Sequence, residues 1–210
     1  KSAIEDKGFF LNLLKRYIRN LLEKNQERLK ILEEGCGTAI DSSLLKKEFP
    51  GVDFYAIDLS KEGVELAKKI SGTILTEGDL ILKVDDAVST KFTPDYFDMV
   101  FSQGLVEHFE KPADLLSEQY RILKKGGFSI ISVPQRYSLF TIFKKIKMYL
   151  GMWQHGWERE YTCKELAEIV EARLKDVLEL LQKDLRRINR SQLLPAGVVL
   201  IGGSSLLPGI

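Results

Sequence analysis

The residues most able to do chemistry form one short run, Glu33-Glu34-Gly35-Cys36-Gly37-Thr38-Ala39. Two glycines let a backbone turn tightly and approach a ligand closely. A dinucleotide loop needs a third glycine, in the order Gly-x-Gly-x-x-Gly. That position holds Ile40, which argues against a nicotinamide cofactor. Three acids join the loop. Glu33 sits two residues before the first glycine, Asp58 closes a second apolar run, and Asp79 follows what reads as a third. One carboxylate can accept both hydroxyls of a ribose and another can take an adenine amino proton. An acid-lined crevice suits a cationic nucleoside better than a pyrophosphate.

The elements that must position these groups alternate along the chain. Amphipathic spacing predicts a helix over Phe9–Leu22. Strands are predicted at Leu29–Glu33, Val52–Ile57, Thr73–Glu77, Phe97–Ser102 and Phe128–Val133. Helices are predicted at Ile40–Phe49, Lys61–Ile70 with Ser60 as cap, and Pro112–Leu123 ended by Gly126-Gly127. Short apolar strands between helices imply an α/β fold: a Rossmann-like three-layer sandwich around a mainly parallel sheet. Ligands of such sheets bind beyond the strands' carboxyl ends, so all three acids are expected in one crevice.

Four segments carry a family resemblance. Ile31–Thr38 resembles the first motif of class I S-adenosylmethionine-dependent methyltransferases, and Tyr55–Ser60 their second. Phe97–Ser102 with Gly104–His108 is similar to their fourth, and Arg121–Gly127 to the turn before their fifth strand. The match runs from about Leu29 to Tyr161. The resemblance implies S-adenosylmethionine as cofactor and methyl transfer to an unidentified acceptor. It implies that Gly35 and Gly37, with Glu33 and Cys36, pass under the methionine part. Asp58 would hold the ribose and Leu59 pack on adenine. Asp79 and Leu80 would flank the adenine edge, and Gln103 and His108 would line the crevice near the methyl. Ala39 departs from the family, which often has glycine there.

Plainer readings stand beside these. Asp58 could cap the following helix, and Asp79 could be an ordinary turn residue. Cys36 reads as small filler, not a nucleophile. Glu107, His108 and His155 are the candidate bases if the acceptor needs one. His108 could instead be structural, and His155, in Trp153-Gln154-His155-Gly156-Trp157, a loop residue. No set of histidines and cysteines has metal-ligand spacing.

The last fifty residues read differently. A long helix is predicted over Lys164–Ile188, then an apolar strand Gly197–Ile201. From about Lys164 to Ile210 the chain resembles the bacterial actin-like cell-division ATPase FtsA over a helix, a strand and a glycine turn, most specifically over Leu193–Ile210. The usual final antiparallel pair of the methyltransferase fold is not evident. The economical expectation is a chimera: a methyltransferase-like body, residues 1–162, and an actin-like segment, 163–210, completing the same domain. Its strand is expected to dock parallel beside Phe128–Val133. Two rival readings follow: a recombinant fold that keeps the crevice without catalysis, and an actin-like interaction module.

Bulk properties bound the function. The 210 residues are 44% hydrophobic and 29% charged, with net charge +1. That gives no global field for nucleic acid. Two unpatterned cysteines, Cys36 and Cys163, fit a reducing cytoplasm. No apolar run is long enough to span a bilayer. Residues 139–153 mix large apolar side chains with Lys144, Lys145 and Lys147. They could form a helix with a solvated lysine face, a basic lid, or a weak contact with a lipid surface. The chain opens on Lys1 and closes on Pro208-Gly209-Ile210, and both ends are expected to be trimmed or disordered.

Overall fold

The computed structural model describes residues 2–24, 27–134, 136, 145–152, 159–162, 164–166, 168–169 and 197–202. Eleven elements follow in order. They are α1 Ser2–Lys24, β1 Lys30–Glu34, α2 Ile40–Glu48, β2 Asp53–Asp58, α3 Lys61–Ser71, β3 Leu80–Val84, β4 Phe97–Gln103, a 3-10 turn Val106–His108, α4 Pro112–Ile122, β5 Leu123–Val133 and β6 Gly197–Gly202. The strands form one sheet in the order β3-β2-β1-β4-β5-β6, and every neighbouring pair is parallel. This is the α/β sandwich expected from the alternation of elements.

Strand alternation sends the two faces of the sheet into two cores. Ile31, Met99 and Phe101 meet Leu14 and Ile18 of α1, Leu45 of α2 and Ala67 of α3. Leu32, Val100 and Ile131 meet Leu115, Leu116 and Ile122 of α4, with Tyr161 and Leu166. Strands covered on both faces must be apolar throughout, and β4 is buried from Phe97 to Ser102. The amino edge of the sheet is tied by Asp98. Its carboxylate accepts from the Lys30 backbone at 2.8 Å and pairs with Lys124 at 2.9 Å.

Three expectations change. The first helix begins at Ser2, not Phe9. Gly8 costs about 1 kcal/mol in a helix, but the chain runs through it. The third strand is Leu80–Val84, not Thr73–Glu77. Thr73, Ile74 and Leu75 instead donate back to Ile70 and Ser71, winding down the end of α3. Thr73 and Ile74 are β-branched and suit a strand, but it is Leu80–Val84 that pairs with β2. Gly126-Gly127 does not separate a helix from a strand. Strand β5 starts at Leu123, directly after α4, and bulges: Leu123 pairs with Phe97 and Phe128 with Met99. The final strand docks parallel on β5, Phe128 opposite Gly197 and Val133 opposite Gly202, as its apolar run implied. The long helix predicted over 164–188 lies mostly outside the described residues.

Gly127 is the tightest point of the bulge. A Cβ there would stand 3.0 Å from the Asp98 and Lys124 carbonyl oxygens and 3.2 Å from that of Phe97. These are backbone atoms and cannot swing away. Gly127→Ala is therefore expected to cost about 1–3 kcal/mol, read as a lower denaturant midpoint. An unchanged midpoint would mean the bulge is slack.

Candidate functional site

The strand order reverses between β1 and β4, because β2 lies on one side of β1 and β4 on the other. Such a switch point opens a crevice at the carboxyl ends of the strands. The glycine loop leaves β1 there, Asp58 ends β2 there, and Gln103 ends β4 there.

The loop adopts three left-handed residues: Gly35 at φ +64°, Gly37 at φ +50° and Ala39 at φ +51°. Alanine in this region costs about 1–2 kcal/mol. That explains why glycine is common at the position of Ala39 in related loops. Ala39 is fully buried among α1, α2 and β1 side chains, so its methyl recovers part of that cost.

The two glycines do different work. A Cβ on Gly35 would meet the Leu105 Cδ1 at 2.7 Å. Gly35 thus admits Leu105, from the turn after β4, against the loop. A Cβ on Gly37 would meet nothing within 4 Å. The space over Gly37 is open crevice.

Asp58 organises that space. Its Oδ2 accepts from the Gly37 N–H at 2.8 Å, and its Oδ1 accepts from the Ser60 N–H at 2.9 Å. Ser60 then caps α3 by accepting from the Gly63 N–H at 3.0 Å. Each carboxylate oxygen keeps a lone pair for a further donor. Leu59, next to it, is 73% exposed. An exposed leucine beside a half-buried carboxylate and an open glycine backbone fits a nucleoside: hydroxyls on the acid, a flat ring on the leucine.

The two acids of β1 point to opposite faces. Glu33 accepts from the Ser42 N–H at 3.2 Å and ties β1 to the first turn of α2. Burial pushes its carboxyl up to about 8, against the Ser42 hydrogen bonds, with Asp41 and Asp58 adding to the rise. Glu34 accepts from Gln119 Nε2 at 2.7 Å, and Gln119 Oε1 accepts from Ser129 at 2.8 Å. Burial raises Glu34 to about 8 as well, opposed by Gln119. The Cys36 thiol is pushed far up by burial and by Glu33 and Asp58. That removes it as a nucleophile. Among the described residues, no group of three metal-ligating side chains comes together.

Not every expected residue arrives. Asp79 and Leu80 stand at the start of β3, level with Asp53 and Phe54 of β2. Five residues of strand at about 3.3 Å each put them roughly 17 Å from the crevice edge. Asp79 accepts from the Thr76 N–H at 3.1 Å in an exposed turn, and Leu80 is buried core. The acids that follow β3 are Asp85, whose N–H donates to the Asp58 carbonyl at 3.1 Å, and Asp86. Asp86 is half-buried and accepts from the Val88 N–H at 3.1 Å. The sequence signal was the apolar run Leu80–Val84 closed by two acids. Leu105 and Glu34 carried no such signal. Gln103 is half-buried opposite Ser132. Glu107 is buried, and its carbonyl accepts from the Arg159 N–H at 3.0 Å. His108 is exposed in the turn after β4. His155 and Cys163 lie outside the described residues.

Comparison with known proteins agrees with this geometry. A family model described as a methyltransferase domain matches residues 32–131. Over that segment the chain is similar to a methyltransferase domain. The malonyl-acyl-carrier-protein O-methyltransferase of Priestia megaterium is 30% identical over 160 residues, 74% of this chain and 56% of that protein. The demethylmenaquinone methyltransferase of Thermotoga maritima is 30% identical over 141 residues, 66% of this chain and 58% of its own. The chain thus spans somewhat more than half the length of these relatives. The solved phosphoethanolamine N-methyltransferase 2 of Haemonchus contortus, in complex with S-adenosyl-L-methionine, shares the fold. Its TM-score is 0.55 at 21% identity, over 79% of this chain and 40% of that one. The cyclase SpnF shares it as well, at 0.55 and 20% over 70% of this chain and 51% of that one. The shared fold alone therefore does not fix a reaction.

Two expected outcomes follow. Gly35→Ala must displace Leu105 as well as strain the backbone, whereas Gly37→Ala carries only the left-handed cost, about 1–2 kcal/mol. Chemical denaturation should rank Gly35→Ala as the less stable; the reverse order would mean the loop packs otherwise. The second concerns pH. Glu33 and Glu34 hold their protons more tightly folded, near 8, than at the ordinary 4.5. Unfolding then releases protons across that window, and stability falls as pH rises from about 5 to about 8. Glu34→Gln keeps an acceptor for Gln119 and should flatten the fall in a thermal scan. A midpoint rising over that range would contradict the assignment.

Proposed function

We propose that this chain binds S-adenosylmethionine over its glycine loop and transfers the methyl group to an acceptor. The observation that carries the reading is the open space over Gly37, bounded by the Asp58 carboxylate and the exposed Leu59. In this reading Gly35, Cys36 and Gly37 form the floor under the methionine part, and Gly35 does so indirectly by seating Leu105. Asp58 takes the ribose hydroxyls, Leu59 packs on the adenine, and Asp86 stands in for Asp79 at the adenine edge. Glu33 stiffens the loop from behind, and Gln103 lines the methyl end.

When bound, the cofactor supplies an electrophilic methyl on a sulfonium. The chain's own work is alignment and exclusion of water, and alignment can contribute about 7–11 kcal/mol to such a displacement. For an oxygen or amine acceptor, His108 is the favoured base, because it is exposed in the turn that follows β4. Glu107 is buried, and His155 remains a candidate on its sequence alone. The acceptor is read as a small molecule and the setting as cytoplasmic, supported by the free Cys36 thiol. Nucleic acid is not part of this reading.

The chimeric origin of the chain, and the FtsA likeness of its last residues, rest on sequence alone. Neither the family model nor the relatives quoted above support them. A natural gene encoding all 210 residues without interruption would end the chimeric reading.

Titration calorimetry tests the main proposal. Wild type should bind S-adenosylmethionine, and Asp58→Ala should bind about 10- to 100-fold more weakly, the worth of hydrogen bonds to a charged group. Absence of binding by folded wild type, or equal affinity in the variant, would overturn it.

A further inference from the structure

The chain leaves the carboxyl edge of the sheet at Val133 and returns at Tyr161. The base of this excursion is tied. The Arg136 N–H donates to the Tyr161 carbonyl at 3.0 Å, and the Tyr161 N–H donates to that of Pro134 at 3.3 Å. The Arg136 guanidinium donates to the Glu160 carbonyl at 2.9 Å and pairs with Glu165 at 2.9 Å. The Arg159 N–H reaches the Glu107 carbonyl at 3.0 Å. The excursion therefore rises from the same edge as the glycine loop.

Within it, residues 145–149 form a helical turn that runs on through a turn at 150–151. Ile146, Met148, Tyr149, Leu150 and Met152 are each 51–92% exposed. Among the other described residues the exposed large apolar side chains are scattered singly, as is normal. Here five fall within seven residues, and Lys145 and Lys147 stand among them. Lys145 is 62% exposed, with Glu160 3.6 Å away. No acidic residue occurs between 137 and 157.

We infer that residues 145–152 dock this protein on an anionic lipid surface. Apolar side chains with only cations between them meet two demands at once. The acyl boundary takes the isoleucine, methionines and leucine, and headgroup phosphates take the lysines. Tyr149 is 92% exposed and has the amphipathic ring favoured at the headgroup level. A second copy of the chain would set the same lysines against each other, which disfavours self-association. Among the described residues no helix is long and apolar enough to cross a membrane. Docking there turns the crevice edge of the sheet toward the bilayer. The inference does not depend on which acceptor is methylated.

Co-sedimentation of the whole chain with vesicles tests it. Binding is expected to vesicles of phosphatidylcholine mixed equally with phosphatidylglycerol, to weaken with salt, and to be far lower on phosphatidylcholine alone. Each lysine near an anionic surface is worth about fivefold in affinity. The double variant Lys145→Glu, Lys147→Glu should thus lose more than about 25-fold, and Tyr149→Ser should weaken binding with its charge intact. Circular dichroism and calorimetry with S-adenosylmethionine on the same samples separate loss of fold from loss of docking. Vesicle binding without cofactor binding would leave this inference standing and overturn the methyltransferase reading alone. No binding by folded wild type overturns the inference. So does equal binding to neutral vesicles, or by the folded double variant. Self-association in sedimentation velocity without vesicle binding overturns it in favour of a second copy.

Discussion

Asp58 accepts two backbone N–H groups from two segments, and the crevice depends on both. One oxygen holds Gly37 in the loop after β1, and the other holds Ser60 ahead of α3. A carboxylate that binds donors on both oxygens is fixed in rotation. It presents its remaining lone pairs in one direction, into the open space over Gly37. Neither strand end would supply that geometry alone. The parallel register sets Glu34 opposite Ile57 and so brings the two loops together. The Cys36 N–H extends the pairing one residue further, donating to the Ile57 carbonyl at 2.9 Å. A site assembled this way is as rigid as the sheet under it, which is what a catalyst by alignment requires.

Two buried acids below this site pull against it. Glu33 and Glu34 both leave water almost completely, and both are pushed up to about 8. Glu33 answers with α2 and Glu34 with the Gln119–Ser129 chain, so β1 is fastened by polar contacts to helices on both faces. A buried acid that stays protonated can remain hydrogen-bonded without the cost of a bare charge. This linkage makes the loop's support sensitive to pH while Asp58, at the surface, stays in contact with solvent.

The fold was legible because its signals were local and redundant. Apolar strand runs, Ser60 and the glycine loop each marked a boundary the structure keeps. The failures came where one local signal outvoted a longer one. Thr73 and Ile74 suggested a strand by side-chain shape, yet they finish α3, and the error carried Asp79 and Leu80 to the wrong end of β3. Shifting that strand makes Asp85 and Asp86 the acids at its carboxyl end. Leu105 was invisible for another reason. Its contact with Gly35 exists only through the packing of a loop from β4 onto one from β1, and no periodicity encodes such a meeting. The role of Glu34 was hidden because its partner Gln119 lies 85 positions further on.

The crevice around Asp58 is built from strand ends and tight turns, where φ signs, hydrogen bonds and register leave few arrangements. Between β5 and Tyr161 the chain makes an excursion that, among the described residues, is fastened at its base by Arg136, Arg159, Glu160, Tyr161 and Glu165. Its described part exposes apolar side chains and lysines in place of a second packed layer. Burying that surface inside the domain would require covering Lys145 and Lys147, at the steep cost of taking two cations out of water. Leaving it in water wastes apolar area that any soft, anionic boundary could cover. A rigid cradle of strand ends beside an apolar and cationic rim leaves that rim free to change without disturbing Asp58 or the loop it holds.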